Sequence, residues 1–140
     1  MMRTMYSMKT KAVFALTTAL CIAGACQLCA QPMTGTYTVG PGGSYATLTA
    51  AIAALSSAGV GTGGVTFEIN NTYVSTGETF PIVLPPITGA SAANPIRIWR
   101  ANDGTSTRVI SQGGAVPTIR VTGSYYTFDG RTQGTGTLIR

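Results

Sequence analysis

Thr36–Leu55 reads TYTVGPGGSYATLTAAIAAL, and its change of period sets the fold class. Thr36–Val39 alternates polar and apolar residues, with Tyr37 and Val39 on one side, as a half-buried strand does. Gly40-Pro41-Gly42-Gly43 supplies backbone angles suited to a turn. Leu48, Ile52 and Leu55 then recur at i, i+4 and i+7, the spacing of one helical stripe. Ser44 or Thr47 is the expected N-cap. The alanines favour helix and permit close packing. Gly59 and Gly61 are the expected stop. Gln31–Gly35 reads as a short mobile start.

Beyond Gly64 the period falls from 3.6 to 2. Val65, Phe67 and Ile69 alternate with Thr66, Glu68 and Asn70. Ile96 and Ile98 alternate with Arg97 and Trp99, and Tyr126 and Phe128 with Thr127 and Asp129. Shorter strands are expected at Ile82–Leu84, Arg108–Ser111 and Thr118–Val121. Asn70-Asn71, Pro85-Pro86, Asn102-Asp103-Gly104, Gln112-Gly113-Gly114 and Asp129-Gly130 supply the turns between them. The strands that start at Val65, Ile96 and Tyr126 stand 31 and 30 residues apart. That spacing suits a solenoid turn of several strands. It suits a small β-sandwich equally well.

Thr36–Leu55 resembles the opening of right-handed parallel β-helix proteins of the pectin-lyase-like kind. In those, a strand, a Gly-Gly turn, a Tyr-x-x-(Leu/Ile) step and a small helix close the bottom of the coil. Asn94-Pro95-Ile96-Arg97-Ile98 and Tyr125-Tyr126-Thr127-Phe128-Asp129-Gly130 resemble rung segments of the same proteins. The resemblance implies a mainly β fold, a parallel β-helix start with an N-terminal capping α-helix. With the leader described below, it is similar to surface proteins of Bacteroidota that use type IX secretion. It implies a structural or adhesive segment of a secreted or cell-surface protein in contact with extracellular polysaccharide. The alternative it carries is the start of a polysaccharide lyase or glycoside hydrolase with its site downstream. Thr137-Leu138-Ile139-Arg140 reads as a further strand, so residues 31–140 are expected to be the cap and first rungs of a β-helix truncated at its C-terminus.

Residues 1–30 have the layout of a secretory signal peptide. Arg3, Lys9 and Lys11 precede an uncharged apolar run, Ala12–Ala25, and Leu28-Cys29-Ala30 stands before Gln31. The run is shorter than the roughly 20 residues that span a bilayer. Cys21, Cys26 and Cys29 all fall here. Ala23-Gly24-Ala25 before Cys26 offers lipidation as the rival processing route. Cys26-Gln27-Leu28-Cys29 has no histidine anywhere in the chain to complete a metal set. Beyond residue 30, six arginines stand against four acids, a net charge of +2. The arginines are scattered, which argues against nucleic-acid binding.

Few residues carry chemistry. Gly40–Tyr45 matches only the first part of a G-x-G-x-x-G phosphate loop, and no Gly-Lys-Ser/Thr occurs. No cofactor and no metal is expected. Glu68 and Asp129 fall on outward strand faces and would approach if their strands stack, yet no paired-acid motif occurs. No catalytic residue is therefore assigned. Trp99, the sole tryptophan, projects opposite Ile96 and Ile98 with Arg97 and Arg100 close by. Trp99 and Arg97 are the candidate carbohydrate contacts. Asn70-Asn71-Thr72 matches a glycosylation sequon, but the expected reading is a turn.

Overall fold

The computed structural model describes residues 30–104 and 107–132. The leader, Cys26 and the strand expected at Thr137–Arg140 lie outside the described residues. The order of elements is β1 (Met33–Val39), α1 (Leu48–Ala58), β2 (Val60–Ile69), β3 (Ile82–Leu84), β4 (Ile96–Arg100), β5 (Ile119–Val121) and β6 (Tyr126–Thr132). A single 3-10 turn, Ser75–Gly77, lies between β2 and β3.

The strands form two parallel sheets, one in the order β1-β2-β4-β6 and the other β3-β5. Parallel neighbours need long crossover connections. Here β3 lies on the crossover from β2 to β4 and β5 on that from β4 to β6, so the chain alternates between sheets. Only the first crossover, β1 to β2, uses a helix. Val65 pairs with Ile96, and Ile96 with Tyr126. The inward residues therefore stack in ladders, of which Tyr37, Phe67, Ile98 and Phe128 form one.

α1 forms where its stripe can be buried. Leu48, Ala51, Ile52 and Leu55 face the core, and the helix packs against β3 and β1. Thr47, not Ser44, is the N-cap: its side chain accepts from the Ala50 N–H at 3.1 Å. Ser44 bonds Thr38 instead. Glu78, thirty residues on, satisfies the first helical amides. Its carboxylate accepts from the N–H groups of Leu48 at 2.5 Å and Thr49 at 2.8 Å, from the Thr49 hydroxyl at 2.5 Å and from the Tyr73 hydroxyl at 2.7 Å. A negative charge there also complements the helix dipole. Gly59 ends the helix at φ 78°, a left-handed value that costs glycine little, and its N–H reaches Leu55 O at 2.7 Å.

One hydrophobic cluster unites the helix stripe with Val65, Phe67, Ile69, Ile82, Leu84, Ile96 and Ile98. Each such side chain contributes about 1.5–3 kcal/mol on full burial. Tyr37, Tyr45 and Phe67 add an aromatic trio with ring centroids 5.9–6.2 Å apart.

Three expectations are corrected. Residues 33–35 belong to β1 and Met33 is buried, because Met33 pairs with Val60. β2 correspondingly starts at Val60, five residues early. Met33 and Gly35 on β1 face Val60 and Val65 on β2, so Gly61–Gly64 bulges out of register. Arg108–Ser111 forms no strand. Its Arg108 side chain reaches Asp103 and the Ile69 carbonyl, and the Ser111 N–H donates to the Ser75 hydroxyl, which ties the segment down through side chains. Beyond β1, a parallel bridge joins Val39 to Tyr45.

Candidate functional site

The outward positions of the four-stranded sheet bring the candidate residues into two ladders. One runs Thr38, Glu68, Trp99, Asp129, and the other Thr36, Thr66, Arg97, Thr127. Trp99 and Arg97, two residues apart on β4, thus share a face. Both are partly buried.

Trp99 does not stand clear of the sheet. Its indole N–H donates to Glu68 Oε1 at 3.1 Å. Register places the Glu68 and Asp129 backbones two strand spacings apart, about 10 Å, with Trp99 between them. Each carboxylate is separately engaged, Glu68 by Trp99 and Asp129 by Arg131. Arg131 donates to Asp129 from Nε at 3.0 Å and from Nη2 at 2.6 Å, and its backbone N–H donates at 2.9 Å. Those bonds hold the Asp129 carboxyl below its ordinary range and raise the Arg131 guanidinium. A glycosidase pair needs one carboxyl kept protonated and the other free to attack or to activate water. Here Arg131 holds the Asp129 carboxyl below its ordinary range, which does not suit the protonated role, and Glu68 Oε1 accepts from Trp99.

A cavity of about 330 Å³ opens beside these residues. Ile69, Ile98, Ile110 and Phe128 form its apolar lining, joined by Trp99, Arg100, Arg108 and Asp129. It sits at the carboxyl ends of β2 and β4, where the turns after those strands are cross-linked. The Asn71 N–H donates to Asp103 Oδ2 at 2.6 Å, and Asp103 Oδ1 pairs with Arg108. The side chain of Arg108 is only 7% exposed. Arg100 Nη1 donates to the Gly104 carbonyl at 2.6 Å.

The sequon asparagine, Asn70, serves a turn. Its amide nitrogen donates to Pro41 O at 3.2 Å, and its oxygen accepts from the Thr72 N–H and hydroxyl. Two side chains with structural duties carry no local signal. Glu78 meets the helix only in the fold, and Asp103 meets Asn71 across 32 residues.

Among the described residues no cluster of three or more His, Cys, Asp and Glu suits a metal ion. None of the described helices is long and apolar enough to cross a membrane. No protein-family model, no curated protein and no solved structure matches the chain.

Proposed function

We propose that the chain is the helix-capped N-terminal part of a right-handed parallel β-helix, with a structural or adhesive role in a secreted or cell-surface protein. One observation carries this reading. Two parallel sheets share one chain alternately, and outside the two register shifts the strands of the larger sheet pair at a spacing of 30–31 residues. Successive strands in register are the repeating unit of a solenoid, in which each turn contacts only its neighbours. The helix supports the cap assignment, since it packs beside β3 in place of another strand.

Contact with extracellular polysaccharide belongs to the same reading, through Trp99 and Arg97 on one face of β4. The Glu68 bond fixes the indole plane, and a fixed ring loses little freedom on stacking against a sugar. The role is non-catalytic in this chain, since both outward carboxylates are engaged by other side chains.

Titrating Trp99 emission with a panel of soluble polysaccharides tests the contact. A saturable change that Arg97→Ala weakens is expected, and Trp99→Phe, followed by retardation in a polysaccharide-containing gel, should lose the retention that the parent shows. A flat response over the whole panel sinks the carbohydrate role. Release of reducing or unsaturated ends from any of these polymers would overturn the non-catalytic one.

A further inference from the structure

The cut expected after Ala30 would put Gln31 at the start of the exported chain, with Pro32 next. Ala30, Gln31 and Pro32 are exposed and lie ahead of β1. Met33 differs from them. It is buried, and its N–H donates to Gly59 O at 2.9 Å, so the ordered ladder begins there. The ladder asks nothing of Gln31, since Pro32 in between has no N–H to pair. We propose that Gln31 is a modification site: in the exported chain it closes to pyroglutamate, and β1 starts behind an end that carries no amine. The proposal rests on the leader reading of residues 1–30 and is independent of the carbohydrate contact.

The step needs no partner. The α-amine nitrogen of Gln31 attacks Cδ of its own side-chain amide. A C–N bond closes the lactam ring, the bond from Cδ to Nε2 breaks, and that nitrogen leaves as ammonia with the proton the α-amine gives up. Atoms and electrons balance without an oxidant, a reductant or a second substrate. Both groups belong to one residue, so the attack has the high effective concentration of a tethered pair. Composition makes the step consequential. Lys9 and Lys11 are the lysines of the chain, and both fall in the leader, as do the three cysteines; histidine is absent throughout. In residues 31–140 the Gln31 α-amine is therefore the sole amine, with no thiol or imidazole beside it. Ring closure removes it and its positive charge, ordinarily titrating at about 8. An exopeptidase that recognises an α-amine then has no hold on β1, an edge strand whose Met33 pairs with Val60.

The test starts from the chain freshly exported by its native host. Its intact mass should correspond to a start at residue 31 and be lighter by one ammonia than the uncyclised sequence. An amine-specific dye should leave it unlabelled, because no lysine beyond residue 30 adds a background. Gln31→Ala should start at the same residue and take up the dye. An aminopeptidase mixture able to pass X-Pro bonds should strip that variant as far as Met33, where the bonded ladder begins, and should leave the parent whole. A parent that starts at residue 31 with its amine intact overturns the proposal and leaves the leader reading standing. A start at any other residue, a lipidated Cys26 included, overturns both. A parent with the ammonia lost but trimmed as readily as the variant overturns the shielding of β1.

Discussion

Glu78 illustrates how much of this fold rests on single side chains. One carboxylate serves two backbone amides of α1, the Thr49 hydroxyl and the Tyr73 hydroxyl. The proximity of Glu78 and burial together raise the Tyr73 phenol, with burial the larger cause. Glu78→Ala leaves those donors unmatched at a partly buried helix start. The expected loss is about 2–3 kcal/mol of unfolding free energy, measured in urea. Glu78→Gln keeps one acceptor and should lose about half as much. Gly64 is the backbone counterpart. It has φ +82°, and a Cβ there would lie 2.3 Å from the Pro95 carbonyl oxygen. That oxygen is the acceptor for the Val65 N–H, so it cannot retreat without breaking a ladder bond. Gly64→Ala is expected to cost at least about 2 kcal/mol, from strain and steric overlap combined. By contrast Gly42, whose Cβ would meet nothing, should pay for its positive φ alone and lose only about 1 kcal/mol.

At the scale of elements, β6 is tied to the turn after β3 by one hydroxyl. The Tyr126 O–H donates to Pro85 O at 2.7 Å, and burial pushes the Tyr126 phenol up to about 12 from its ordinary 10. The folded state thus holds this proton more tightly than the unfolded chain. The contribution is fully present below pH 10 and is lost as pH rises through about 12. Discounted for partial exposure, it amounts to about 1 kcal/mol. Tyr126→Phe should therefore be less stable than the parent by about 1 kcal/mol at pH 9, from the lost hydrogen bond. That gap should close or reverse between pH 10 and 12, by urea unfolding at each pH; a constant gap would count against it. The three strands of the larger sheet that follow α1 were legible because one inward face imposes a period of two on Val65–Ile69, Ile96–Ile98 and Tyr126–Phe128. The same period misled at Arg108–Ser111, where side-chain bonds to Asp103 and Ser75 replace a ladder. Met33–Gly35 gave no strand signal, since its pairing with Val60 depends on the glycine bulge of β2. The site was half legible. Spacing put Trp99 and Arg97 on one face, but the Glu68 bond needs a 31-residue register, and the cavity needs the turns after β2 and β4 in place.

The described residues have two unlike ends. At the β1 end, α1 lays a complete stripe of Leu48, Ala51, Ile52 and Leu55 onto the interior. Toward β5 and β6 the burial of inward ladders declines. Leu84 is fully buried but Val121, its partner in register, is 55% exposed. Phe67 and Ile98 are buried, whereas Phe128 is 46% exposed. Side chains of one chemical type in one ladder therefore differ in what they contribute, because each is stabilised by the layers on both sides of it. Phe67 lies between Tyr37 and Ile98 and also touches Tyr45. Phe67→Ala should open a cavity with walls on all sides and cost about 3–5 kcal/mol. Phe128→Ala removes a ring that water already reaches, and should cost about 1–2 kcal/mol. Both variants are compared with the parent by chemical denaturation at one pH. Similar losses at the two sites would mean that Phe128 is covered in solution. In that case sedimentation would show whether a second copy supplies the cover. A several-fold larger loss at Phe67 would establish the gradient of stability from the helix-covered end to β6, the end at which the cavity opens.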